Sequence, residues 1–269
     1  MMMQAQEPQL WTPRRRRSSR VVSEEDTRQA MGLGMGIGLR LGGVSAFSPL
    51  SMMTNGVQAA WYRSDRGVTG SPSITALADQ SGQSRNLAVN VNSPTLVTDG
   101  GQPALRFDGT SAQELRIAAP TTCASAYFLA MVVKIDTSAL ANNGIFGVYR
   151  ARGCAIGSNS AAWLLRHAGA VNITAGSVDT ANYKRIIATG GSASPFAPKL
   201  WINGVLQTLS PYGPQTYLNA TSAGEFISLG HDVVNCKGYV REAFWVDRLG
   251  TDTEAAQADA YLASQWVTG

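Results

Sequence analysis

From Val57 onward, apolar residues come in short runs separated by Gly, Asn, Asp, Ser and Pro. That spacing belongs to strands joined by tight turns. The runs predict strands over Ala59–Tyr62, Leu87–Val91, Thr95–Thr98, Ala104–Phe107, Glu114–Ile117, Tyr127–Ile135 and Gly144–Tyr149. Further strands are expected over Ala162–Arg166, Val171–Ala175, Arg185–Thr189, Lys199–Ile202, Val205–Leu209, Phe226–Leu229 and Gly238–Val246. Many of these carry β-branched or aromatic residues, which pack well on a pleated surface. Trp201-Ile202-Asn203-Gly204-Val205-Leu206 gives the sharpest signal. Asn-Gly between apolar runs predicts a two-residue hairpin, because both central residues must take positive φ. Strands this dense, with no helices between them, predict an all-β sandwich or barrel.

The period changes at the C-terminus. Thr251-Asp252-Thr253-Glu254 reads as a capping box, and Ala255, Ala258, Leu262 and Trp266 then recur at helical spacing. A helix over 252–266 is expected to lie against the sandwich, anchored by Trp266. No internal repeat is visible.

Residues 1–45 follow neither pattern. Leu10-Trp11 lies between Pro8 and Pro13, and Arg14, Arg15, Arg16 and Arg17 follow as one cation cluster. Gly32 to Leu39 alternates glycine with Leu33, Met35, Ile37 and Leu39, so an extended chain would have one all-glycine face. The alternation suits either a strand pressed on another backbone or a flexible linker. Such a segment cannot bury enough apolar surface to fold alone. The expected organisation is a basic, Gly-rich N-terminal arm (1–45), a connector (46–56) and a sandwich ending in the helix (57–269).

Composition sharpens this division. Charged residues make up 15% of the chain, against roughly 25% in ordinary globular proteins. The net charge is +4. Seven Arg face four carboxylates in the first 45 residues, and 15 basic groups face 14 acidic ones in the rest. The sandwich is therefore close to neutral, which argues against gripping nucleic acid through phosphates. Three Cys without a CxxC give neither a disulfide framework nor a zinc site, and buried free thiols are expected. The arginine cluster followed by Met31–Leu39 loosely imitates a twin-arginine signal. Glu24-Glu25-Asp26 and the glycine alternation oppose that reading. No apolar run reaches 18 residues, so no membrane-crossing helix is expected.

Several short stretches resemble a known family. Ala60-Trp61-Tyr62, Leu77-Ala78-Asp79-Gln80-Ser81-Gly82, Ala104 to Gly109 (ALRFDG), Leu200 to Gly204 (LWING) and Ala243-Phe244-Trp245-Val246 together resemble concanavalin A-like, laminin-G-like jelly rolls. The lead-in Leu50 to Tyr62 and the trailing helix are similar to variants found in bacteriophage virion proteins. The resemblance covers about residues 50–269. It implies a two-sheet antiparallel jelly-roll sandwich whose last strand returns beside the first, with one C-terminal helix and an extended N-terminal arm.

The resemblance implies a virion structural protein, either a capsid decoration (cement) protein or a tail fibre or appendage. Its partners would be other virion proteins and further copies of itself. On that reading Trp11, Arg14–Arg17, Leu33, Met35, Ile37 and Leu39 form the anchoring surface. The cations would meet an acidic protein groove or packaged DNA. The alternative is a carbohydrate-binding lectin module for a host surface glycan. Trp163, Trp201, Tyr212, Tyr217 and Trp245 are its candidates by type, although strand aromatics are more often core. A glycoside hydrolase is less favoured. The Glu-x-Asp-x-x-Glu strand motif of such enzymes is missing, and Glu242 and Asp247 are five apart, on opposite faces. No GxSxG elbow is present, and His231-Asp232 reads as a turn. No cofactor is expected. Calcium, which lectins of this fold hold through loop oxygens, would fall to Asp79, Asp99, Asp108 or Asp232, but none sits in a ligand run.

Overall fold

The computed structural model describes residues 47–266 except 55–56, 110, 119–120, 124–125, 137–142, 150–153, 160–161, 168–169, 175–176, 192–197, 212–221 and 231–235. The strands in chain order are β1 (Ala59–Arg63), β2 (Val68–Thr69), β3 (Ala76–Leu77), β4 (Leu87–Val91), β5 (Thr95–Asp99), β6 (Gln102–Asp108) and β7 (Glu114–Ile117). There follow β8 (Thr121–Cys123), β9 (Ala126–Ile135), β10 (Asn143–Tyr149), β11 (Cys154–Ser158), β12 (Trp163–His167) and β13 (Ala170–Thr174). The last are β14 (Lys184–Gly191), β15 (Lys199–Ile202), β16 (Val205–Leu206), β17 (Leu209–Pro211), β18 (Ser222–Leu229) and β19 (Lys237–Val246). The described helices are α1 (Pro49–Met52) and α2 (Asp252–Gln265).

The described strands form two antiparallel sheets, as expected. The first runs β16-β15-β14-β9-β19-β6-β5, with β1 also paired to β19. The second runs β17-β13-β12-β11-β10-β18-β7-β4-β3-β2, with β8 paired to β18. The last strand returns beside the first, with Trp61 opposite Phe244. The Asn203-Gly204 hairpin forms with φ of 49° and 78° at its two central residues.

The expected strand Val205–Leu209 does not exist as one element. Gln207 N–H still donates to Leu200 in the first sheet, and Leu209 then pairs with Thr174 in the second. The chain changes sheets within that run. Val68–Thr69, Ala76–Leu77, Thr121–Cys123 and Cys154–Ser158 are strands that were not expected. The stretch read as a connector contains α1, capped by Ser48 and burying Met52 and Met53.

Two apolar layers hold the body together. Phe107, Met131, Phe146, Ile156, Leu165 and Trp245 fill the space between the sheets. A second layer lies on the outer face of the first sheet, where Phe128, Ile187 and Phe244 meet Met52, Ala255, Ala258, Leu262 and Trp266. Fully burying a residue such as Leu262 contributes about 1.5–3 kcal/mol. A β-bulge at Arg241 reverses the facing of β19. Val240 before it and Ala243 and Trp245 after it face the core, so Glu242, Phe244 and Val246 point toward α2. Among the described residues no helix is long and apolar enough to cross a membrane.

Candidate functional site

The two sheets differ in what lies on their outer faces. Helix α2 and the 47–57 segment cover the first. None of the described elements packs on the second, and its outward residues are unusual. Strand register places Ala88, Arg116, Ser228, Gly147, Ala155 and Arg166 side by side on β4, β7, β18, β10, β11 and β12. Gly144, Gly157 and Leu164 form the next outward row. Three adjacent strands therefore present Ser, Gly and Ala where a sheet usually carries bulky side chains, and the row is closed to solvent, with Ser228 0% and Ala155 and Leu164 3% exposed. Glycine within a strand weakens it and often marks close approach by a ligand or another backbone. At Gly147 the neighbouring backbone suffices as the reason, because an added Cβ would lie 2.2 Å from the Cys154 carbonyl oxygen.

Larger groups border this row of small residues. The Arg116 guanidinium lies 4.5 Å from the centre of the Phe226 ring, on the side next to Ser228. Glu114, one step along the same face, is buried and accepts from the Asn90 amide. Arg166 and Leu164 close the far side, four strand spacings or roughly 19 Å from Arg116. Within the row, Ser228 is fully buried and its hydroxyl has no hydrogen-bond partner. A buried hydroxyl left unpaired costs about 1–3 kcal/mol.

The most deeply placed carboxylate lies elsewhere. Glu242, turned toward α2 by the bulge, is inaccessible to solvent. Trp61 Nε1 and Tyr261 Oη donate to its Oε1 at 2.6 and 3.1 Å, and Trp266 Nε1 donates to Oε2 at 2.5 Å. Arg63 lies 3.7 Å away, stacked between the Trp61 and Trp266 rings. Burial raises the Glu242 carboxyl above its ordinary value, opposed by Trp266, Arg63, Trp61 and Tyr261. With donors on both oxygens, this carboxylate ties α2 to the first sheet. Its position directly before the apolar run Ala243–Val246 was the one sequence signal for it.

The remaining sequence candidates divide clearly. Trp11, Arg14, Arg15, Arg16, Arg17, Leu33, Met35, Ile37 and Leu39 lie outside the described residues, as do Tyr212, Tyr217, His231 and Asp232. Trp163 and Trp245 are buried between the sheets, and Trp201 is buried on the first sheet's outer face. Cys154 and Cys236 are buried free thiols, and burial pushes the Cys236 thiol up to about 12.

Asp79 fastens the turn that follows β3. It accepts from the Trp61 and Ser81 N–H groups (both 2.9 Å), the Ser81 hydroxyl (2.7 Å) and the Arg85 N–H (3.0 Å). Four donors use up its acceptor capacity, which leaves nothing for a cation. Asp99 pairs with Lys134 at 2.5 Å. Among the described residues no three His, Cys, Asp or Glu side chains cluster as a metal site would require.

No protein-family model matches this sequence, and no curated protein matches it. Solved structures do match in fold. Domain 4 of AbnA, a GH43 extracellular arabinanase from Geobacillus stearothermophilus solved with arabinotriose, superposes with a TM-score of 0.54 at 15% identity. That match covers 76% of this chain and 98% of that domain. The binding domain of Paraclostridial Mosquitocidal Protein 1 gives a TM-score of 0.54 at 13% identity, and that of botulinum neurotoxin serotype C1 gives 0.53 at 13%. Each covers 76% of this chain and 52% of its own, so this chain spans about half the length of those two.

Proposed function

We propose that the sandwich is a carbohydrate-binding module. The observation that carries this reading is the fold shared with domain 4 of an arabinanase, a match that covers 76% of this chain and 98% of that domain. Hydroxyl-rich ligands need polar groups that no protein partner already uses, beside an aromatic or aliphatic edge. Likeness in fold to an arabinanase domain solved with arabinotriose supports the same class of ligand and names the first sugars to try.

The module is read as non-catalytic. Glycoside hydrolysis needs two carboxylates flanking an accessible bond. Glu242 is sealed under α2, and Glu114 is buried against Asn90. Titration calorimetry with arabino-oligosaccharides, followed by a broad glycan array, tests the binding. Retention of at least one glycan is expected, and a blank array refutes the reading. Incubation with the retained glycan is expected to release no reducing ends.

The arm supports a second reading, attachment of this module to a virion. Its four consecutive arginines and glycine alternation suit a segment that orders only on a partner. Deleting residues 1–45 is then expected to abolish incorporation into particles while glycan binding persists. Normal loading of the truncated protein would remove this reading.

A further inference from the structure

We infer that the module binds an acidic sugar, one bearing a carboxylate or sulfate, and reads its charge through Arg106 on the outer face of the first sheet. This rests on the carbohydrate-binding reading above and deepens it. The cover on that face centres on Phe128, Ala130, Ile187 and Phe244. Toward its other end, register sets Thr95, Arg106, Tyr239 and Lys134 side by side on β5, β6, β19 and β9. Their chain neighbours Leu96, Leu105, Phe107, Val133 and Val240 pack into the core, so these four side chains point outward. The row is open to solvent: Arg106 is exposed, and Thr95, Tyr239 and Lys134 are partly exposed.

The neighbouring cations of this sheet already hold carboxylates. Lys134 pairs with Asp99 at 2.5 Å, Lys184 with Asp179 at 2.7 Å, Arg185 with Asp259 at 2.8 Å and Lys237 with Asp136 at 3.7 Å. Arg106 pairs with no carboxylate among the described residues, and its guanidinium lies 5.9 Å from the centre of the Tyr239 ring. Such a contact is weak at an exposed site. Asp108, the next outward residue on β6, lies opposite Lys237. The Lys134 ammonium, fixed by Asp99, lies 4.4 Å from the same ring. Lys134 and Arg106 come from the strands on either side of β19, so the Tyr239 ring is held between them. A carboxylate or sulfate offers the free guanidinium two parallel, charge-assisted hydrogen bonds, a stronger contact than the ring. The Tyr239 phenol and the Thr95 hydroxyl bond to no group among the described residues, and they flank the guanidinium on adjacent strands. They are placed to meet the sugar hydroxyls on either side of the anion. From Thr95 to Tyr239 is two strand spacings, roughly 10 Å, which suits a short oligosaccharide lying across the strands. A neutral sugar gains the two hydroxyls but leaves the cation unmatched.

The test is an array of matched pairs, each glycan present with and without its carboxylate or sulfate. It is probed with the full chain and with Arg106→Ala, Arg106→Lys, Tyr239→Phe and Arg66→Ala. The last is a control that removes the same charge elsewhere, from a side chain that is 51% exposed and lies 3.5 Å from Asp65. The acidic member of a pair is expected to bind about tenfold more tightly than its neutral twin, the scale of one charge-assisted contact. That preference should shrink as salt is raised. Arg106→Ala is expected to abolish it with the melting temperature unchanged, because the side chain is exposed and unpaired. Arg106→Lys should keep it only in part, since lysine cannot make the bidentate contact. Tyr239→Phe keeps the ring between its cations and is expected to weaken binding of both members severalfold. Arg66→Ala should leave the preference intact. Equal binding of neutral and acidic members overturns the inference and leaves the carbohydrate reading standing. A preference that survives in Arg106→Ala, or that falls as far in Arg66→Ala, overturns the assignment to Arg106. An array with no binding at all overturns both readings.

Discussion

Replacing Trp266 by phenylalanine removes one N–H from a buried carboxylate and little else. The indole nitrogen lies 2.5 Å from Glu242 Oε2, and Trp266 and Glu242 are 3% and 0% exposed. A hydrogen bond to a charged group contributes about 1.5–3 kcal/mol, and the smaller ring adds a packing loss, so about 2–4 kcal/mol is expected in all. For a body of this size each kcal/mol lowers the melting temperature by roughly 2–4 °C. Urea unfolding followed by circular dichroism measures the loss. The reasoning also requires non-additivity. In a Glu242→Gln background the acceptor no longer carries charge, and the new amide N–H groups face the indole and phenol donors. Trp266→Phe should then cost at least about 1 kcal/mol less than in the wild type. A loss below about 0.5 kcal/mol, or the same loss in both backgrounds, would refute the role given to Glu242.

Three further outcomes follow from the packing and the charges. Gly250→Ala should destabilise by about 1–3 kcal/mol in thermal unfolding, because the added Cβ would lie 2.0 Å from a Phe128 ring carbon. Cys236, with its thiol pushed up to about 12 by burial, should resist alkylation at pH 8 in the folded protein and react once unfolded, read by peptide mass spectrometry. The Lys134 ammonium holds the Asp99 carboxyl below its ordinary value, so its contribution is present above the unfolded value of 3.8 and is lost as pH falls through the folded one. Glu242 runs the other way: its raised carboxyl contributes most below 4.5, and that contribution is lost as pH rises through the folded value. Asp99→Asn should therefore flatten the acid side of a stability–pH curve, and Glu242→Gln should remove the loss on the rising side.

Much of the sandwich was legible because it depends on local chemistry. Asn203-Gly204 specified its hairpin through positive φ, and Thr251 with Glu254 specified the start of α2 through the capping box. Ala255, Ala258 and Leu262 appear on the buried face that their spacing predicts. Cys154–Ser158 escaped notice because its small residues carry no strand preference of their own. Its place between β10 and β12 comes from pairing. The Glu242 cluster escaped for a related reason. Its donors come from residues 61, 63, 261 and 266, and a bulge at Arg241 sets the facing of the carboxylate. The small-residue row of the second sheet was least legible of all, since Arg116, Gly147, Ala155, Arg166 and Ser228 come from five strands and meet only through register.

The most direct measurement is a nitrogen–proton NMR titration of the full chain with the oligosaccharide that the array retains. Backbone shifts confined to one contiguous group of sandwich residues are expected, with residues around Glu242 and α2 unchanged. Shifts confined to the Glu242 and α2 residues, or no shifts with any sugar tried, would contradict a carbohydrate-binding module.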